Sequence, residues 1–258
     1  LVGSEMCIGD SNQINPLNII EWIKKNAIKE SDEDKIKEKV KILTDIAIKH
    51  DTNISVRCII ALRETAIEKM REGNSDEFSI VDLVNFISAQ LRFIGETVAK
   101  NLIKQPVSGH VIYSLSEIGV ASIKERRFGD HNMQRLLEDN IKWIRKVFEE
   151  IIQNKDINNI TDKDIEWILN SLFIFIDTAV KHKSPEDLSK QILELMKEIA
   201  FKSAEIPRVS ERHEWVLNRY KQYLDELQSY ICYGEYRDLL SDDLKNKIRT
   251  MIEEVEGL

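Results

Sequence analysis

Apolar residues recur at intervals of three and four positions along most of this chain of 258 residues. This spacing places the apolar side chains on one face of an α-helix, which can then pack against a neighbour. A representative stretch carries Ile141, Ile144, Val147, Phe148 and Ile151. No stretch alternates between apolar and polar residues for long enough to predict a β-strand. The pattern therefore predicts an all-α protein.

The periodicity divides the chain into ten predicted helices. Their bounds are 17–30, 33–50, 54–72, 79–104, 109–127, 133–154, 162–182, 185–204, 211–233 and 237–255. Helix starts are predicted where Ser or Thr is followed three residues later by an acid, because both side chains can cap free backbone N–H groups. Four such pairs are Ser31–Asp34, Ser79–Asp82, Thr161–Asp164 and Ser184–Asp187, and Pro185 is predicted at a first helical position.

Several predicted helices share a motif of two apolar residues three apart, followed by a small residue. It occurs as Leu91-x-x-Ile94-Gly95 and again as Leu115-x-x-Ile118-Gly119. Two helix-to-helix steps make a hairpin of about 52 residues, and self-similarity of this kind indicates stacked helical repeats. A mid-helix glycine costs ~1 kcal/mol, which close approach of a second helix can offset. We expect antiparallel hairpins stacked as a short α-solenoid, with an irregular helical bundle as the alternative.

These Leu-x-x-Ile-Gly segments and the lysine-rich helix ends resemble HEAT/armadillo-type repeats over residues 33 to 205. The resemblance implies a protein that binds other macromolecules along an extended surface. The chain departs from the family in its longer hairpin, since the usual unit has ~40–47 residues. It also lacks the family's interior proline and buried charged ladder.

The first eleven residues, Leu1 to Ser11, resemble a peptide that arises when sequencing-adapter DNA is translated. That peptide reads LVGSEMCIRDS and differs only at Gly9. We therefore interpret residues 1–11 as a non-native artefact. Residues 12–258 are predicted to form one α-helical repeat domain, the C-terminal part of a longer protein whose upstream segment is missing.

Composition narrows the classes of function. The net charge of −8 argues against a nucleic-acid partner. Cys7, Cys58 and Cys232 form no CxxC pair, which indicates reduced thiols in a cytoplasmic protein. The five histidines show no metal-ligand spacing, and no glycine-rich phosphate loop occurs, so neither a metal nor a cofactor is predicted. No apolar run reaches the ~18 residues that a membrane span needs.

The sequence favours a non-catalytic protein-interaction or scaffold module over an enzyme. One alternative is a cytoplasmic regulatory domain at the cytoplasmic face of a membrane, held there only by a missing upstream anchor. A second alternative is an enzyme with an unrecognised site assembled from scattered residues. Asp177, inside an apolar helix, is interpreted as a hydrogen-bonded polar residue rather than a catalytic acid.

A protein partner is predicted to bind at the helix over 211–233. Tyr223 and Tyr230 lie seven residues apart on one edge of its apolar stripe. Tyrosine offers large contact area with few rotatable bonds and is favoured at binding surfaces. The sequence therefore predicts a groove bordered by these tyrosines, with Arg219 and Arg237 as polar contributors.

Overall fold

A computed structural model describes residues 15–72, 77–100, 105–125, 130–153, 161–205, 210–230, 234 and 240–257. These residues form ten α-helices and no β-strand, as the apolar periodicity predicts. The helices are α1 (Pro16–Lys29), α2 (Glu33–Lys49), α3 (Thr52–Arg71), α4 (Glu77–Ala99), α5 (Gln105–Glu125), α6 (Asp130–Gln153), α7 (Asp162–Lys181), α8 (Glu186–Ala204), α9 (Ser210–Gln228) and α10 (Asp242–Glu256). The adapter-like residues 1–11 lie outside the described residues.

The helices stack in two layers, so the chain is a short α-solenoid. The odd-numbered helices pack side by side from α1 to α9, and the even-numbered helices form the second layer from α2 to α10. Among the described residues, each helix makes its main contacts with helices of its own or a neighbouring hairpin. The apolar faces of both layers meet in one continuous core that runs along the stack.

Contacts between successive hairpins reveal the period of the repeat. Arg145 bonds Glu198, 53 residues away, and Ser116 meets Ser171, 55 residues away. This agrees with the predicted hairpin of about 52 residues. Between α1 and α3 the separation is shorter, since Lys24 bonds Glu64 only 40 residues away. The first hairpin therefore contains fewer residues than those compared above.

Two of the motif glycines lie where neighbouring helices come closest. A Cβ added to Gly95 in α4 would lie 2.8 Å from both methyl carbons of Val147 and 3.0 Å from Val111 Cγ1. A Cβ added to Gly119 in α5 would clash with the Phe175 ring of α7. The small residue in the motif therefore permits contact between hairpins, as the repeat interpretation expects.

Only one of the four predicted capping pairs forms as expected. Thr161 and Asp164 make a reciprocal capping box at the start of α7. At α2 the cap is Asp32 rather than Ser31. Helix α4 begins at Glu77, before Ser79, whose hydroxyl instead donates to Glu33. At α8 the cap position is Pro185 itself, without a side-chain hydrogen bond.

Near the C-terminus the helix bounds differ most from the sequence expectation. The α-helical part of α9 ends at Gln228, and the predicted last residues 231–233 lie outside the described residues. Helix α10 begins at Asp242 rather than 237, because Ser241 accepts a hydrogen bond from the Leu244 N–H and caps it. Among the described residues, no helix is long and apolar enough to cross a membrane.

Candidate functional site

The odd-numbered layer carries a row of aromatic and cationic side chains. Helix α5 is central in this layer and is buried along most of its length. Its partly exposed edge includes His110, Tyr113 and Glu117, at a spacing of three and four residues. Because that edge lies between α3 and α7, its side chains can contact both neighbours.

Three side chains from three successive odd helices form a stack. The Arg63 guanidinium of α3 lies 5.5 Å from the centre of the Tyr113 ring. The Tyr113 ring in turn stacks on Trp167 of α7, with 5.0 Å between ring centres and 17° between planes. The His110 ring meets Trp167 nearly at right angles, at 4.6 Å. These contacts fix the indole of Trp167 from the α5 side.

A second set of stacked side chains lies at the contact between α7 and α9. The Tyr223 ring of α9 stacks on Phe173 of α7, with 5.0 Å between ring centres. The Arg219 guanidinium lies 5.6 Å from the centre of the Tyr223 ring and bonds the Glu166 carboxylate of α7. Arg219 is therefore held in place by both a ring and a carboxylate.

A groove of about 550 Å³ separates these two sets. Its lining residues come from about two turns of α7 and from the facing side of α9: Lys163, Asp164, Glu166, Trp167, Asn170, Arg219 and Tyr223. Trp167 is 39% exposed, whereas Tyr223 is only 8% exposed. The groove thus presents an accessible indole on one side and a fixed guanidinium on the other.

The charges around the groove balance. Lys163 and Arg219 oppose Asp164 and Glu166. The Glu166 carboxylate holds the pKa of Arg219 above its usual value, so Arg219 remains a cation. Asp164 is occupied at the helix start, where its carboxylate accepts bonds from the Thr161 N–H and hydroxyl. Neither acid is therefore left without a partner to attract a charged ligand.

Nearby titratable rings are neutral at physiological pH. Burial raises the pKa of the Tyr223 phenol, and Arg219 opposes this effect only in part. Burial lowers the pKa of His110, against the opposing attraction of Asp164. The aromatic surface around Trp167 consequently carries little charge of its own.

Two other concave regions are closed by internal contacts. A cavity of about 420 Å³ surrounds the end of α1, where the Lys69 ammonium donates to Ile28 O, Glu30 O and the Glu72 carboxylate. Those three bonds use all three N–H donors of Lys69. A second cavity, between α8 and α10, is crossed by ion pairs that include Lys190–Asp243. Ion pairs and hydrogen bonds thus bridge both of these cavities, whereas the groove between α7 and α9 exposes the indole of Trp167.

The structure brings two of the four predicted partner-binding residues together. Arg219 and Tyr223 both line the groove. Tyr230 is 40% exposed and lies apart from it, with the Lys181 ammonium 5.7 Å from its ring centre. Arg237 lies outside the described residues. Asp177 accepts a bond from Lys181 within its own helix, at 2.6 Å, which agrees with its interpretation as a paired polar residue.

Sequence reasoning did not identify Trp167, Asn170 or Tyr113 as part of a site. A signal for Trp167 was present, since it lies off the apolar stripe of α7 that contains Ile168 and Leu172. Its position beside Tyr113 follows only when the repeat period is applied to the two residues. Within the described parts of the chain, no group of three or more His, Cys, Asp or Glu side chains could hold a metal ion.

Comparisons with known proteins support the fold but not a family. No family model matches the chain, and no curated protein matches it either. A solved structure of a circular tandem repeat protein with novel repeat topology and enhanced subunit contact surfaces is similar, with a TM-score of 0.63 at 15% identity. The match covers 94% of this chain and 57% of that one. A computationally designed self-assembling cyclic homooligomer aligns with a TM-score of 0.44, 14% identity and coverage of 94% and 90%.

Proposed function

We propose that this chain is a non-catalytic protein-interaction module that binds a peptide segment of a partner in the groove between α7 and α9. The observation that carries the proposal is the half-exposed Trp167, fixed by Tyr113 and His110 at the edge of this groove. Tryptophan and arginine are the residue types most often responsible for binding energy at interfaces. Here both line the same concavity.

The dimensions of the groove fit a peptide. Its volume of about 550 Å³ is larger than one side chain and falls within the range of sites that enclose a ligand. Its walls come from helices of two successive hairpins, which are rigid elements of the stack. A preformed site of this kind loses little entropy when a partner binds.

The proposal extends to the kind of repeat and to its location. We propose a HEAT/armadillo-like repeat, supported by the two-layer stack and by a first hairpin whose 40-residue separation is close to the usual unit. A cytoplasmic location, or one at the cytoplasmic face of a membrane, is supported by Cys58, a buried free thiol.

A displayed library of random peptides tests the function. We expect selection on the native protein to enrich peptides that bind at least about tenfold more weakly to a Trp167→Ala variant, because removal of an interface tryptophan commonly costs more than 1 kcal/mol. Affinities are measured by isothermal titration calorimetry, and circular dichroism checks that each variant folds.

Trp22→Ala is the matched control. Trp22 is 53% exposed, on α1 at the other end of the stack, and is not a lining residue of the groove. Selected peptides should bind this variant as tightly as the native protein. Peptides that bind Trp167→Ala undiminished, or a library that yields no binder, would contradict the proposal.

A further inference from the structure

The aromatic row on the odd-numbered layer is interrupted at the groove between α7 and α9. From α3 to α7 the order is Arg63, Tyr113 and Trp167, each stacked on the next. From α9 back to α7 the order is Arg219, Tyr223 and Phe173, again stacked. The groove is lined by Trp167 from the first series and by Arg219 and Tyr223 from the second.

The side of Trp167 toward α9 is not the side that its neighbours cover. Tyr113 and His110 belong to α5, whereas the groove lies on the α9 side of α7. The indole therefore offers a surface to a ligand in the groove. On the far wall, the Arg219 guanidinium is planar and is held by Glu166 and Tyr223.

We propose that an aromatic side chain of an extended partner peptide fills this gap, with its ring between Trp167 and Arg219. This inference rests on the proposed function and names the side chain that the groove selects. The ring stacks against the indole and presents its electron-rich face to the guanidinium. With it in place, the row is continuous from Arg63 to Phe173.

The chemistry of the walls selects an aromatic ring over a basic side chain. A lysine or arginine would approach the Arg219 cation, while Glu166 is already paired with that cation and Asp164 is bound at the helix start. A neutral ring can enter the groove without breaking the ion pair between Arg219 and Glu166.

The test uses five peptides of sequence acetyl-Gly-Ser-Xaa-Ser-Gly-amide, in which Xaa is Phe, Tyr, Trp, Leu or Arg. The full-length protein is labelled with 5-fluorotryptophan and titrated with each peptide by fluorine NMR. The Trp167 resonance is the one that a Trp167→Phe variant lacks. We expect the three aromatic peptides to shift this resonance at concentrations at least about threefold lower than the leucine or arginine peptide.

A pair of variants tests the role of Arg219. Arg219→Ala should weaken the aromatic peptides by about two- to fivefold, the effect of losing one cation–π contact. Arg145→Ala removes a guanidinium of the even-numbered layer that bonds Glu198 and does not line the groove, so it should leave their affinity within about twofold. Equal weakening by both variants would overturn the placement of the ring against Arg219.

Several other results would also overturn the inference. These are a larger response to the arginine peptide, no response of Trp167 to any peptide, or a response to free adenosine at lower concentrations than to the aromatic peptides. The last result would identify a nucleobase site. If the displayed library yields Trp167-dependent peptides without aromatic residues, the peptide-binding function stands and the aromatic gap is wrong.

Discussion

Gly95 and Gly109 are both buried helical glycines, but the space around them differs. A Cβ on Gly95 would meet two methyl carbons of Val147 at 2.8 Å, whereas a Cβ on Gly109 would find its nearest neighbour, the Asp164 Cβ, at 4.0 Å. The first distance requires the neighbouring helix to move, and the second is an ordinary contact. The two positions therefore separate helix propensity from packing.

Alanine at these two positions should change stability in opposite directions. We expect Gly95→Ala to lower the free energy of unfolding by about 1–3 kcal/mol through overpacking. Gly109→Ala should raise it by up to about 1 kcal/mol, because alanine is the better helix former and fits without strain. Urea denaturation measures both. A destabilised Gly109→Ala or an unaffected Gly95→Ala would show that the contacts between hairpins are placed wrongly.

At the groove, the sequence revealed individual residues but not their neighbours. Arg219 and Tyr223 could be proposed because aromatic and cationic residues stand at the margin of one helix's apolar stripe. Trp167 could not be proposed in the same way, because its exposure depends on how closely α9 packs on α7. A pattern within one helix defines a face, but it does not measure the separation between two helices.

Single helices were predicted well because their apolar stripes are regular, whereas their starts depended on local competition. Ser31 and Asp32 are adjacent and both are good capping residues, and Asp32 accepts bonds from two backbone N–H groups. The spacing to Asp34 favoured Ser31 as the cap. A side chain can cap a helix only if its residue directly precedes the first helical residue, and at α2 that residue is Asp32. At Thr161 the adjacent Asp162 could also cap, but it lies in the first turn of α7, and the box forms between Thr161 and Asp164.

Removal of the two predicted caps should therefore have different effects. Thr161→Ala removes the hydroxyl that accepts from the Asp164 N–H at the start of α7 and should cost about 0.5–2 kcal/mol. Ser31→Ala should be close to neutral, because Asp32 continues to cap α2. Thermal denaturation by calorimetry compares the two variants. If Ser31→Ala lowered stability as much as Thr161→Ala, Ser31 rather than Asp32 would be the cap of α2.

For the molecule as a whole, the sequence predicted the helical repeat but not which residues of different hairpins contact each other. Residues about 54 apart, such as Tyr113 and Trp167, become neighbours because each hairpin repeats the one before it. The predicted period of about 52 residues identifies α5 and α7 as neighbours, but it would pair Tyr113 with Ile165, two residues before Trp167. The width of the groove remains beyond such reasoning, because it depends on side-chain packing between α7 and α9 rather than on the period.

The stack also predicts how the chain loses structure. Within the described residues, helices α9 and α10 make their main contacts with each other, α7 and α8. In a solenoid, stability is close to a sum of terms between neighbouring repeats. A chain that ends at Glu205 should thus have lower overall stability, while the distant α3 remains as well protected as before.

Alkylation of Cys58 measures how often α3 opens. It is fully buried in α3, and burial raises the pKa of its thiol to about 12, so it reacts with iodoacetamide only when the helix opens. With Cys7 changed to serine, the chain ending at Glu205 retains Cys58 as its one thiol, and the full-length comparison also carries Cys232→Ser. We expect the same alkylation rate within about twofold in both chains, measured by mass spectrometry at one pH. An alkylation rate of Cys58 that is about tenfold or more higher in the shortened chain would contradict this expectation. It would mean that all hairpins unfold as one cooperative unit, so that the loss of α9 and α10 also destabilises α3.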